Sequence, residues 1–298
     1  MPVLEGAVIY SNLLVLLSIG LTITYITTGV PNFAQGSFAV FGSYVSISLL
    51  RLAGLHPYHT LPVSLALGGF LGLAVYLGAL KPLIARGARM VILMIATLAV
   101  DLIMLGCLGA YSDYLGLVTL KVAKKFIFTP LDFEWAGRPA IFSVSTLVVA
   151  LMLLSLIILL YRTKFGVALR ASMENPSLAE VMGVNVEQAR MFSWGLSGAL
   201  AAAAGSLLPF RQEIVPATGA IIIVSIFASS IVGGLSSLYG ALLGGYTIGL
   251  SESLVTFHLT PVFGTGVLLY AKVVSLVMLI VALVLAPRGL TGLLWRGR

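Results

Sequence analysis

The chain is poor in cysteine, histidine and charge: of 298 residues one is Cys, three are His and 9% are charged. Cys107 stands alone in an apolar run, so no disulfide joins two parts of this fold. His56, His59 and His258 are scattered near the ends of apolar runs and form no metal constellation. No Gly-x-x-x-x-Gly-Lys-Ser/Thr sequence occurs, so the chain binds no nucleotide through a P-loop. His-Glu-x-x-His and Gly-x-Ser-x-Gly are missing too, which makes an intramembrane enzyme a poor reading. There is no Asn-x-Ser/Thr acceptor site. The N-terminus lacks the basic region and cleavage site of a removable signal peptide, so the first apolar run is expected to stay as a true span.

What remains is grease. Hydrophobic residues make up 59% of the chain, against about 45–50% in soluble domains, and the mean hydropathy is +1.10. Several apolar runs exceed the roughly 18 residues that mark a bilayer span. The fold class is therefore an all-α polytopic membrane bundle of about eight to nine transmembrane helices, some broken. Candidate spans fall near 6–28, 36–53, 60–80, 90–110, 142–161, 191–210, 217–235, 238–256 and 266–286, in one domain covering 1–298.

The net charge of +7 does not point to nucleic acid, because the basic residues sit in short loops rather than in one patch with interleaved aromatics. In a membrane protein they read as topology. With the N-terminus outside, Lys81, Arg86, Arg89, Arg162, Lys164, Arg170, Arg190, Arg288, Arg296 and Arg298 fall on the cytoplasmic side. Six basic residues, Arg51, Lys121, Lys124, Lys125, Arg138 and Arg211, fall opposite. Residues 111–141 then form an external loop, read either as a docking surface for a soluble partner or as a folded cap.

The cytoplasmic loop, 162–190, carries a helix signal. Asn175 suits an N-cap and Pro176 the first helical position, with Ser177 and Glu180 as a capping box one register later and Gly183 as the stop. This predicts about two turns between Pro176 and Met182, with Leu178, Val181 and Met182 on one apolar face. Two readings fit: a groove on a cytoplasmic partner takes that face, or it packs back on the chain's own helix ends.

Two segments read as breaks. Gly29-Val-Pro-Asn-Phe-Ala-Gln-Gly36 must interrupt a helix at Pro31. With Asn32 and Gln35 it reads as a pathway element or as an ordinary turn between spans. Gly233-Gly-Leu-Ser-Ser-Leu-Tyr-Gly240 is a later break, and the pair hints at an internal repeat. Gly240/Gly244, Gly245/Gly249 and Gly68/Gly72 carry the spacing that lets helix backbones approach closely. Asp101 and Glu252 are acids inside predicted spans; each either lines a pathway or makes an interhelical hydrogen bond. Lys272, near the outer end of the last span, is expected to snorkel.

These residues carry a family resemblance over nearly the whole length. Gly29-Val-Pro-Asn-Phe-Ala-Gln-Gly, running on to Gly42-Ser-Tyr-Val, resembles the Gly-x-x-Asn-Phe-Ala-His-Gly element of the permeases of bacterial and archaeal ABC importers for branched-chain amino acids, high-affinity systems of which this is similar to the first-type membrane subunit. Arg170-Ala-x-x-Glu174 with Ala179 and Gly183-Val-Asn185 resembles the family's cytoplasmic coupling loop. Gly233-Gly-Leu-x-Ser-x-x-Gly-Ala-Leu-Leu-Gly-Gly resembles its late glycine element, and Ala286-Pro-Arg-Gly-Leu-Thr-Gly its terminal signature. Gln35 stands where the family usually has His, Ser37 where an acid is common, and Asn175 where Asp is common.

The resemblance implies a plasma-membrane transport subunit with no cofactor of its own, its ATP bound by partner chains. Implied partners are two cytoplasmic ATPase subunits, a second related permease and an extracytoplasmic solute-binding protein that delivers a small molecule, with no nucleic acid. It implies ATPase coupling through Arg170, Glu174, Leu178, Val181, Met182, Gly183 and Asn185. The substrate pathway is expected at Asn32, Phe33, Gln35, Ser37, Asp101 and Glu252. Relatives of the class resemble carriers of urea, amides, sugars and nucleosides. A self-sufficient secondary transporter working through Asp101 or Glu252 is the competing class, and a purely structural anchor leaves the broken helices unexplained.

Overall fold

The computed structural model describes residues 3–135, 137–235, 237–264, 266, 270–286 and 289–294, the last three by their backbone alone. Its elements are α1 (Val3–Thr28), α2 (Gln35–Ala53), α3 (Leu61–Val75), α4 (Lys81–Ala85), α5 (Met90–Thr119), β1 (Glu134–Trp135), β2 (Arg138–Pro139), α6 (Ala140–Arg162), α7 (Lys164–Glu174), α8 (Pro176–Val181), α9 (Val186–Leu207), α10 (Thr218–Gly233), α11 (Leu238–Phe263), α12 (Ala271–Leu285) and α13 (Gly289–Leu294). A π-helical turn, Tyr76–Leu80, joins α3 to α4 into one long rod. Among the described residues, seven helical stretches are long and apolar enough to cross a membrane. With α10, 16 residues, and α11, 26 residues, they match the nine expected spans.

The helices differ in what surrounds them. α1 is apolar all round and buried nearly throughout, which makes it the central rod. α5, α6 and α12 bury one narrow stripe and turn Leu, Ile and Val outward, as helices facing lipid do. α5 runs nine residues past its expected end, to Thr119. Polar residues from Tyr111 onward lower the hydropathy without breaking the helix, so the rod projects beyond the apolar layer.

Packing divides the chain into two inverted halves. α3 lies along α9 as α11 lies along α1, and α2 meets α5 as α10 meets α12. The correspondence is α1, α2, α3, α5 with α9, α10, α11, α12, while α6 to α8 connect the halves. Glycines set both of the close seams. A Cβ on Gly72 would overlap the Trp194 carbonyl, and one on Gly245 would reach 2.7 Å from Val15 Cγ2. Without hydrophobic drive between helices in lipid, this close backbone approach supplies the cohesion.

The internal repeat therefore relates 29–34 to 211–217, not to the later glycine break. Both segments carry a Val-Pro step, Val30-Pro31 and Val215-Pro216, and both lead into a helix, α2 and α10. Gly36 and Gly219, near the starts of those helices, pack backbone to backbone. Gly233–Gly240 is instead a tight connection, closed by Gly234 at φ 102° and by Ser237, which accepts from the Gly240 amide.

Candidate functional site

The first break folds back into the bundle. Gln35 Nε2 donates to the carbonyl of Leu17 at 3.3 Å, and from Leu17 to the end of α1 at Thr28 the helix rises about 16 Å. Residues 29–34 thus return half-way up the bundle before α2 starts. Pro31 forces this, since it cannot donate and its ring blocks a continuing helix.

Backbone exposed at that depth needs partners, and side chains provide them. Asn32 Oδ1 accepts from the Ala34 amide at 3.0 Å, and Asn32 Nδ2 donates to Gln35 Oε1 at 3.1 Å. Ser197 of α9 donates to the same Gln35 oxygen at 2.9 Å. Thr97 of α5, whose hydroxyl donates to the Met94 carbonyl of its own helix at 2.8 Å, accepts from the Phe33 amide at 3.4 Å and lies 3.4 Å from the Pro31 carbonyl. One turn along α5, Asp101 Oδ1 accepts from Ser37 Oγ at 2.5 Å. Asn32, Gln35 and Ser37 are buried, while Phe33 and Asp101 are half-buried. Phe33 stacks on Phe227 of α10 with ring centroids 4.8 Å apart. The result is a polar cluster at mid-depth, drawn from both halves and flanked by an aromatic wall.

Glu252 lies elsewhere, on α11, and is fully engaged. Lys272 Nζ donates to its Oε1 at 2.5 Å, while Ser225 and Ser275 donate to Oε2 at 2.7 and 2.5 Å. Lys272 also donates to Tyr10 OH at 2.7 Å. The expectation that Lys272 snorkels is corrected here: a buried carboxylate one helix away outcompetes the headgroup layer. The sequence offered no spacing that pairs Glu252 with Lys272, because the two acquire proximity only through helix packing.

The coupling loop forms two helices. α7, unexpected from the sequence, is started by Thr163, whose hydroxyl accepts from the Gly166 amide. α8 begins as expected, with Asn175 Oδ1 accepting from the Leu178 amide at 3.1 Å; the Ser177 register is not used. Gly183 closes it at φ 83°, a left-handed conformation that suits Gly. Leu178, Val181 and Met182 are 58, 82 and 77% exposed, so they do not pack back onto the chain. Glu174 is exposed beside them. Asn185 caps α9, accepting from the Gln188 amide at 3.0 Å. Arg170 faces away from this group, its guanidinium 4.6 Å from the centroid of the Tyr161 ring.

The remaining predicted residues are packing elements by position. Gly240 and Gly244 face α10 at Gly233 and Ser229, while Gly245 and Gly249 face α1 at Val15 and Ser11. Of the terminal signature, residues 287–288 lie outside the described residues, as do Arg296 and Arg298. Thr291 donates to the Gly233 carbonyl at 3.2 Å, so the terminal and late glycine elements meet. The 111–141 loop is partly a cap: Phe126 pairs with Ile214, exchanging backbone bonds of 3.2 and 3.0 Å, and Phe128 is buried. Phe133 and Trp135 remain exposed.

A family model described as "Branched-chain amino acid transport system / permease component" matches residues 3–283. The chain is 62% identical to a probable branched-chain amino acid transport permease protein LivH of Methanocaldococcus jannaschii, over 99% of this chain and 93% of that protein. It is 28% identical to the high-affinity branched-chain amino acid transport system permease protein LivH of Escherichia coli K12, over 93% of this chain and 90% of that protein. An autoinducer 2 import system permease protein LsrC of Yersinia enterocolitica is 27% identical over 52% of this chain and 46% of its own length. No solved structure matches the chain.

Proposed function

The chain belongs to the branched-chain amino acid transport permease family, and from that premise we propose how its parts divide the work of the importer. It is the membrane-embedded permease component of a prokaryotic ABC transport system for branched-chain amino acids, a multi-pass subunit and not itself an enzyme. ATP is handled by separate ATPase chains.

In our reading, two ATPase subunits grip the end of the bundle that carries α7 and α8, which is cytoplasmic. Leu178, Val181 and Met182 enter a groove on the ATPase, and Glu174 orients the loop. A second related permease completes the membrane core, and an external binding protein delivers substrate near the 111–141 cap. The substrate passes the re-entrant cluster of Asn32, Phe33, Gln35, Ser37 and Asp101. There, amides, a hydroxyl and a carboxylate can replace hydration of the amino and carboxyl groups, while Phe33 and Phe227 offer an apolar wall to an aliphatic side chain. Glu252 serves the fold of the outer half.

The observation that carries the reading is the exposed apolar face of α8. A short capped helix that leaves Leu178, Val181 and Met182 bare in water has the form of a peptide anchor for a groove. The experiment is Leu178→Ala with Met182→Ala in the reconstituted transporter. ATP hydrolysis should persist with loss of uptake, or the ATPase should dissociate on purification. Unchanged uptake and unchanged co-purification would refute the docking face. Uptake by this chain alone in ATP-free proteoliposomes would refute the importer assembly itself.

A further inference from the structure

Arg170 occupies a place that ATPase docking does not explain. Its side chain turns into a cleft of about 220 Å³ between α1, α6, α7 and the start of α11. The guanidinium rests on the face of Tyr161, and Tyr239 donates its hydroxyl hydrogen to Tyr161 OH at 3.2 Å. Arg170 Nε is buried and has no acceptor among the described residues. No ion pair among the described residues involves Arg170. Glu174, one turn along the same helix, points to solvent instead. A buried cationic donor without an acceptor is costly, and the cost is removed when an anion lies at its edge.

The rest of the cleft says which anion. Its wall along α6 is Leu153, Leu156, Ile157 and Leu160, a stripe at i, i+3, i+4 and i+7 that runs about 10 Å down the helix from the arginine. Beside it, Leu151, Leu154 and Ile158 are exposed on the same helix, so the groove opens directly onto the lipid-facing surface. Tyr161 and Tyr239, each about half exposed, stand at the water end, where aromatic residues sit at headgroup level. Arg162 and Lys164 lie close by in sequence and raise the positive potential there. An apolar slot with a cationic head, at the basic end of a membrane bundle, matches an acyl chain joined to a phosphate.

We propose that this cleft binds one anionic phospholipid, its phosphate on Arg170 and the first part of one acyl chain between α6 and α11. The lipid would fasten α7, and through it α8, to the membrane core. This site is separate from the α8 docking face and does not depend on it.

The test uses the intact transporter, purified in detergent, stripped of lipid and exposed to vesicles of equal phosphatidylglycerol and phosphatidylcholine. Native mass spectrometry then counts the lipid retained. The wild type should keep phosphatidylglycerol in several-fold preference, and Arg170→Gln should abolish the preference. Ile157→Trp, which fills the groove and leaves the arginine in place, should lower retention of both lipids and shows that the slot itself is used even where Arg170→Gln folds poorly. Equal retention of the two lipids by the wild type, unchanged preference in Arg170→Gln, or unchanged retention in Ile157→Trp would each overturn the proposal. Displacement of the bound lipid by excess inorganic phosphate would do so too, since the acyl slot would then contribute nothing.

Discussion

Asp101 and Glu252 look alike in the sequence, each an acid within an apolar helix, yet the bundle treats them differently. Glu252 has donors on both oxygens: two serines hold one, Lys272 holds the other, and Tyr10 holds the lysine. Among the described residues Asp101 has a single hydroxyl partner, Ser37, and it stays half-buried beside a re-entrant segment. A saturated acid behaves as a tie between helices. An acid with spare acceptor capacity at mid-depth is one that a passing ammonium group can use. Charge alone is a weak guide to a pathway, because partners, not depth, decide what an acid does.

Removing one member of the Glu252 pair breaks that contrast most strongly. Glu252→Ala leaves Lys272 buried and uncompensated, and should destabilise the subunit by about 3–5 kcal/mol. Thermal unfolding of the detergent-purified protein measures it, and Lys272→Met on the same background should recover much of the loss. A double variant no better than the single one would show that the ion pair is not what Glu252 contributes. Next come the seams between the halves. Gly72→Ala and Gly245→Ala each place a methyl against a facing backbone and should cost about 1–3 kcal/mol. Similar losses at the two sites support inverted halves; a loss at only one breaks the equivalence.

Asp101→Asn sharpens the contrast from the other side. The amide keeps an acceptor for Ser37, so stability should change by less than about 1 kcal/mol, while uptake falls several-fold with ATP hydrolysis retained. Wild-type uptake in this variant would remove Asp101 from the pathway. The smallest effect belongs to Gly106→Ala on lipid-facing α5, where nothing lies within 4 Å of the added methyl. It should raise stability by up to about 1 kcal/mol through helix propensity alone.

Much of this is legible in the sequence. Apolar run length located the spans, because a bilayer demands it, and Asn175, Pro176 and Gly183 located α8 because capping is local chemistry. α7 escaped notice because Lys164–Glu174 mixes charged and apolar residues, so its helix shows in amphipathic spacing and not in hydropathy. The re-entrant 211–217 segment carried only a shared Val-Pro step as its signal. Asn32 and Gln35 stood out as polar residues near a break, but their partners Thr97 and Ser197 were ordinary hydroxyls in apolar helices, and nothing local marked them.

Local sequence is enough to show that the chain spans a membrane many times, where its helices break, which face of α8 is apolar, and, through ordered motifs, its family. Those properties follow from run length, from proline and glycine geometry and from capping, all of which act over a few neighbouring residues. Helix packing is what brings the first break back to mid-depth, ties Glu252 to Lys272 while Asp101 keeps one hydroxyl donor among the described residues, turns Arg170 into a lipid-facing cleft, and makes the halves inverted copies. Each of these depends on which helix lies against which, and in a bilayer that choice is made by close packing of small residues and by the pairing of scattered polar groups, neither of which has a fixed spacing along the chain.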